Sequence, residues 1–186
     1  MSTINSRIKC VVFGLLVLSS AACDRNPAPV RIPSLAGQAN LDYLKGLEGQ
    51  WMVQGGDEGS FGWEFDVTSR GSVVIERLKV GTPTEMTTVY YLGDGKLNAA
   101  HYCQLKNQPH LTAVRAEAGE DIHFVCNGHV GSTKSHAELH MHGVHFRKKG
   151  DSLMIWMDML ENGEVAFQTR YELVRAEAAS IHEGAL

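Results

Sequence analysis

The segment HAELHMHGVHF, residues 136–146, holds four histidines in eleven residues. Imidazole is a metal ligand, an acid–base group and an ordinary polar side chain, so spacing decides what such a run offers. The informative spacing is His140-x-His142. In an extended chain alternate residues share a face, which puts these two imidazoles about 7 Å apart at the backbone. With His101, Cys103, Cys126 or Asp158 they supply enough ligands for tetrahedral zinc or copper, or Asp158 serves as the outer acceptor that orients a ligand histidine. Small barrels also hold haem on one histidine, and nothing in this pattern singles haem out. A second reading makes His140 a base and Asp158 its orienter, with Cys103 or a water as nucleophile, as in a small-molecule hydrolase or isomerase. A third makes the same groups the polar contacts of a small-molecule cavity. A fourth makes them hydrogen-bonded interior residues only, His140 satisfying a buried Asp158. H-x-H is a weak motif, and the chain has no paired C-x-x-C.

These residues must be held by strands. Asn40 is the expected cap of a short helix, LDYLKGL, ending near Gly46. After it come ten short runs of strand character, from 50–55 through 61–67, 72–80, 85–92, 97–104, 110–116, 121–127, 138–147 and 152–159 to 164–174. Turn signals separate many of them, among them Asp94-Gly95, Ala118-Gly119, Lys149-Gly150 and Asn162-Gly163. Asp-Gly and Asn-Gly are strong hairpin signals because type I′ turns need positive φ at both central residues. The expected fold is all-β: an antiparallel up-and-down meander of about ten strands, closed into a barrel so that no edge is left, behind a short N-terminal helix.

Gly49-Gln50-Trp51, opening the first strand after a short helix, resembles the Gly-x-Trp signature of the calycins, the lipocalins and fatty-acid-binding proteins. The resemblance extends over the strand plan of the whole domain, although Gly-x-Trp is a short motif. It implies a cup-shaped, calycin-like barrel, an arginine from the last strand over the tryptophan (here Arg175), and a small apolar ligand. The stretch HYCQLKNQPH, 101–110, is similar to a segment of uncharacterised bacterial lipocalin-like proteins, a group that implies no activity.

Hairpin registers assign the faces. The Asp94-Gly95 turn pairs Tyr90 with Ala99, Thr88 with His101 and Met86 with Cys103, and turns this set inward. A three-residue turn at 117–119 pairs His110 with Cys126 and Thr112 with Phe124. A three-residue turn at 148–150 pairs His142 with Trp156 and His140 with Asp158; the Asn162-Gly163 turn pairs Asp158 with Phe167. On these registers His101, Cys103, His110, Cys126, His140, His142, Trp156 and Asp158 are the candidate ligand-binding residues, and His140 and His142 the candidate metal ligands. His145 points out into solvent, His136 lies at the strand's entry, and Leu153, Ile155, Met157 and Met159 fall on the outer face.

The ends of the chain carry different signals. Residues 1–22 run from Arg7 and Lys9 through the apolar stretch Val11–Leu18 to small residues, the layout of an export signal. Its apolar run is shorter than the about 20 residues a spanning helix needs. Ala21-Ala22-Cys23 resembles the lipobox of bacterial lipoproteins, with Ser20 where that pattern has leucine, and implies a lipid on Cys23. Residues 23–35 carry three of the five prolines and read as a tether, 36–175 as the barrel domain and 176–186 as a disordered tail. The expected location is periplasmic, lipid-anchored to a membrane, with ordinary cleavage and secretion as the alternative. A net charge of −4 with no basic stripe argues against nucleic acid as a partner. Cys103 and Cys126, in an oxidising compartment, are candidates for a bridge, but two strand spacings of about 9–10 Å exceed the about 7 Å Cα limit of a disulfide.

Overall fold

The computed structural model describes residues 35–56, 62–117, 121–128 and 137–176. All fall in one compact unit, 31–186. The expected export signal, Cys23, the tether as far as Ser34, His136 and the tail from Glu177 lie outside the described residues.

A helix, α1 (Leu35–Lys45), precedes ten strands: β1 (Gly49–Val53), β2 (Gly62–Thr68), β3 (Val73–Val80), β4 (Met86–Gly93), β5 (Lys96–Tyr102), β6 (His110–Glu117), β7 (Asp121–Cys126), β8 (His140–Lys149), β9 (Ser152–Glu161) and β10 (Glu164–Arg175). Each strand pairs antiparallel with its neighbour in the chain, and β1 closes on β10. The expected all-β closed meander is therefore the observed fold. Asp94 and Gly95 have φ of 53° and 76°, and Asn162 and Gly163 of 54° and 81°, the positive pair that a type I′ hairpin demands.

The helix starts earlier than expected. Asn40 lies inside α1 and is buried, not at its cap. Packing overrides the capping preference: Leu41 and Leu44, with Leu47 just beyond, are wholly buried against the barrel end, each contributing about 1.5–3 kcal/mol. Arg175 fastens this end. Its guanidinium lies 4.2 Å over the Trp51 ring and donates to the carbonyls of Gly46 and Glu48. Gly49 has φ of +112°, and a Cβ there would stand 2.9 Å from Arg175 Nη1. Only glycine accepts that conformation and that approach.

Three register irregularities correct the expected faces. Leu160 pairs with Val165 as the turn dictates, but a bulge between Val165 and Phe167 then sets Met159, not Asp158, against Phe167. An extra residue moves every later side chain to the opposite face. Trp156 and Asp158 therefore point outward, and Leu153, Ile155, Met157 and Met159 are buried inside. On the other side of β9 the turn is tighter than expected: Lys149 pairs with Ser152, His145 with Trp156, and Gly143 with Asp158. A second bulge, between Met141 and Gly143, leaves His142 as the extra residue. On β6 the turn itself differs from expectation, pairing Glu117 with Asp121, and the third irregularity, between Ala113 and Arg115, then leaves Leu111, not His110, opposite Cys126. Leu111 is fully buried, so His110, next along the strand, takes the other face.

Candidate functional site

The barrel interior has two levels. Beside the helix-capped end it is solid. Phe65, Tyr90, Phe124 and Phe146 are wholly buried and meet edge-to-face or tilted at centroid distances of 5.3 to 6.3 Å. A carboxyl sits among these rings. Trp63 Nε1 donates to Glu76 Oε1 at 2.8 Å, and the Tyr90 hydroxyl donates to Glu76 Oε2 at 2.6 Å. Burial pushes the Glu76 carboxyl above its ordinary range, and the Tyr90 phenol is raised for the same reason. Thr88 also bonds Glu76, and its hydroxyl lies 2.9 Å from His101 Nδ1. The polar chain thus climbs from Glu76 to His101. His101 is desolvated on every side, which lowers its pKa from 6.5 to about 4 and keeps the ring neutral at physiological pH.

Above His101 the barrel opens. A cavity of about 140 Å³ lies at the end away from α1. Its wall includes Leu78, Met86, Leu139, Met141, Met157, Met159, Phe167 and Tyr171. Four of the seven methionines of the chain stand there, so much of the wall is unbranched thioether that adapts its shape to a guest. The polar points are His101, Cys103, Gln104, Thr169 and the rim residue Lys79. Cys103 Sγ lies 3.9 Å from Met86 Sδ, and burial raises its thiol pKa. Leu105 and Phe167 belong both to the wall and to the exposed surface, and they make the rim apolar.

The loop after β5, which contains most of HYCQLKNQPH, shapes this mouth. Asn107 is buried and donates from Nδ2 to the Leu139 carbonyl at 2.9 Å, while its own carbonyl accepts from Cys103 N at 3.1 Å. It ties the Cys103 side of the cavity to the start of β8.

Of the eight residues expected around one cavity, His101 and Cys103 line it. The others separate. His140, His142 and Cys126 come together, with one ligand atom of each lying within 4.8 Å of the others. His140 is wholly buried and its Nδ1 lies 2.8 Å from the Glu138 carbonyl. A carbonyl only accepts, so Nδ1 carries the proton and Nε2 the lone pair. The His142 ring stands 5.8 Å from that of His140. Cys126 is buried, which raises its thiol pKa. Cys103 and Cys126 are thiols and form no disulfide.

Asp158 does not meet His140. On the outer face its Oδ2 lies 3.0 Å from His145 Nε2, and its Oδ1 accepts from Gln168 at 2.6 Å. These bonds outweigh partial desolvation and hold the Asp158 carboxyl below its usual range. The base–orienter pair expected from His140 and Asp158 is thus replaced by His145 and Asp158. Nor does His145 stand in solvent. Its ring is stacked between His123, at 3.7 Å, and Trp156, at 4.5 Å. His123, His145 and Asp158 also have ligand atoms within 4.8 Å of one another. Gly143 lies beneath them: a Cβ there would stand 3.0 Å from Asp158 Oδ2 and 3.5 Å from His123 Nε2. Trp156 carries Arg147 and Arg170 over its ring at 5.4 and 5.8 Å.

Several residues of these sites carry a signal in the sequence itself. Glu76 alternates with Val74 and Leu78, so a carboxylate on an apolar strand face was the signal. Leu153, Ile155, Met157 and Met159 alternate with Trp156 and Asp158, and that pattern alone marks the inner face. No protein-family model matches the chain, and no curated protein matches it either.

Proposed function

We propose that this protein is an exported, lipid-anchored, lipocalin-like barrel that binds a small, compact, largely apolar molecule in the cavity above His101. The observation that carries the reading is the cavity itself: about 140 Å³, walled by methionine, leucine and aromatic side chains, with a few polar points and an apolar rim. Apolar walls with sparse oriented polar groups are how small-molecule sites are built. Their size narrows the guest. Cavities of about 150 Å³ admit a molecule such as benzene. A long acyl chain would leave most of its length outside. A compact ring or short branched chain with one polar group, placed against His101 or Thr169, fits the lining.

Export and anchoring rest on sequence: the basic, apolar and small-residue order of 1–22, the Ala21-Ala22-Cys23 junction and the proline-bearing tether. The calycin-like assignment rests on Gly49-Gln50-Trp51, on the Arg175–Trp51 contact and on the closed meander.

The test is thermal unfolding in the presence of benzene-sized apolar molecules. The expected result is a dose-dependent rise in Tm that Met141→Trp, which fills the cavity, removes. No rise for any compact apolar probe, with long-chain lipids stabilising instead, would overturn the reading. Globomycin-sensitive processing and labelling with palmitate test Cys23.

A further inference from the structure

We infer that Cys126, His140 and His142 form a metal site for zinc or a divalent ion of the same class, separate from the apolar cavity. One thiol sulfur and two imidazole nitrogens from adjacent strands β7 and β8 lie within 4.8 Å of one another. A bound zinc, about 2.0–2.3 Å from each ligand atom, draws such atoms together by small side-chain rotations. The donor set is one that zinc takes, and three protein ligands leave a fourth position open for water or a substrate.

Three features of the fold build this arrangement. Strand spacing sets His140 and His142 two residues apart, and the β8 bulge makes His142 the extra residue, with no register partner on β9. Asn107 holds the Leu139 carbonyl, and so the backbone just ahead of His140, in place. Finally, His140 Nδ1 donates to the Glu138 carbonyl at 2.8 Å. Ligand histidines characteristically donate their second nitrogen to a carbonyl or carboxylate, which fixes the tautomer and aims the lone pair. His140 already has that bond, and its Nε2 is shielded from solvent.

Binding is balanced by a proton. The Cys126 thiol gives its hydrogen to solvent or buffer as the sulfur becomes a thiolate ligand, and no redox change is involved. The cluster of His123, His145 and Asp158 supplies the internal comparison. Its imidazoles are stacked face to face at 3.7 Å and 15°, and it contains no sulfur.

The experiment is a titration of chelator-treated, reduced protein with Co²⁺, followed by displacement with Zn²⁺. The expected result is one equivalent of Co²⁺ with a near-ultraviolet thiolate-to-cobalt charge-transfer band, release of about one proton per metal ion at neutral pH, and loss of the band when Zn²⁺ is added. Cys126→Ser removes the band; His142→Ala, at a partly exposed position, weakens binding at least tenfold; Cys103→Ser and His145→Ala leave both unchanged. Circular dichroism of each variant without metal separates loss of ligand from loss of fold. The inference is overturned if no equivalent binds, if the band follows Cys103 rather than Cys126, or if binding is lost with His145→Ala and kept in His142→Ala.

Discussion

Tyr90 donates its hydroxyl to Glu76 Oε2 at 2.6 Å in the barrel interior, with Trp63 on the other carboxyl oxygen at 2.8 Å. The pair holds an ionisable group in the middle of an aromatic core. Removing the Tyr90 hydroxyl leaves a buried acceptor with one donor fewer, so Tyr90→Phe is expected to destabilise by about 1–3 kcal/mol. Chemical denaturation checks it.

Glu76 and His101 shift stability in opposite directions with pH. The folded Glu76 pKa is raised, so the folded state binds more protons than the unfolded one above about pH 4.5, and stability falls as pH rises through that window. Glu76→Gln should flatten this alkaline-side decline. The measurement is the denaturation midpoint from pH 4.5 upward.

For His101 the folded pKa is depressed, from 6.5 to about 4. The unfolded chain then binds the proton more readily, so its contribution is complete above pH 6.5 and is lost as pH falls towards 4. The loss amounts to about 3 kcal/mol, at about 1.4 kcal/mol per pH unit. Stability measured between pH 7 and 4 should fall by that order in the native protein and by much less in His101→Gln.

Gly143→Ala should separate Asp158 from His145. The new Cβ would stand 3.0 Å from the Asp158 carboxylate, with the Phe124 carbonyl at 3.4 Å on another side. Overpacking of this kind costs about 1–3 kcal/mol. The specific readout is the set of His145 ring resonances by NMR, which should move in the variant as the carboxylate leaves the ring.

Arg175→Lys should not preserve the closed end of the barrel. The planar guanidinium stacks on Trp51 and donates to two carbonyls of the turn after α1 at once, which an ammonium cannot reproduce. The expected loss of stability resembles that of Arg175→Ala, with near-ultraviolet circular dichroism reporting the change around Trp51.

The interior levels should respond differently to truncation. Phe146→Ala, in the packed aromatic level, should cost about 3–5 kcal/mol. Met159→Leu, beside the cavity, should cost less than about 1.5 kcal/mol because volume is kept and the wall adapts. Denaturation of both variants under one condition makes the comparison.

Much of the fold was open to reading from residues alone. Alternation and turn chemistry are local, so ten strands, their antiparallel order, the Asp94-Gly95 register and the inward placing of Thr88, His101 and Cys103 all followed from neighbours in the chain. The Trp51–Arg175 contact is one that only the resemblance of Gly49-Gln50-Trp51 to the Gly-x-Trp signature implies. The faces of β8 and β9 did not follow. Leu160 and Val165 pair as their turn requires, yet one bulged residue beyond them sends Trp156 and Asp158 outside and brings Met157 and Met159 in. Another detaches His142 from the β9 ladder and sets Gly143, not His140, opposite Asp158, which leaves Asp158 to His145. A bulge leaves little mark in composition. It is selected by how whole faces pack when the barrel closes, and because side chains alternate with period two, a single extra residue is enough to exchange one set of partners for another.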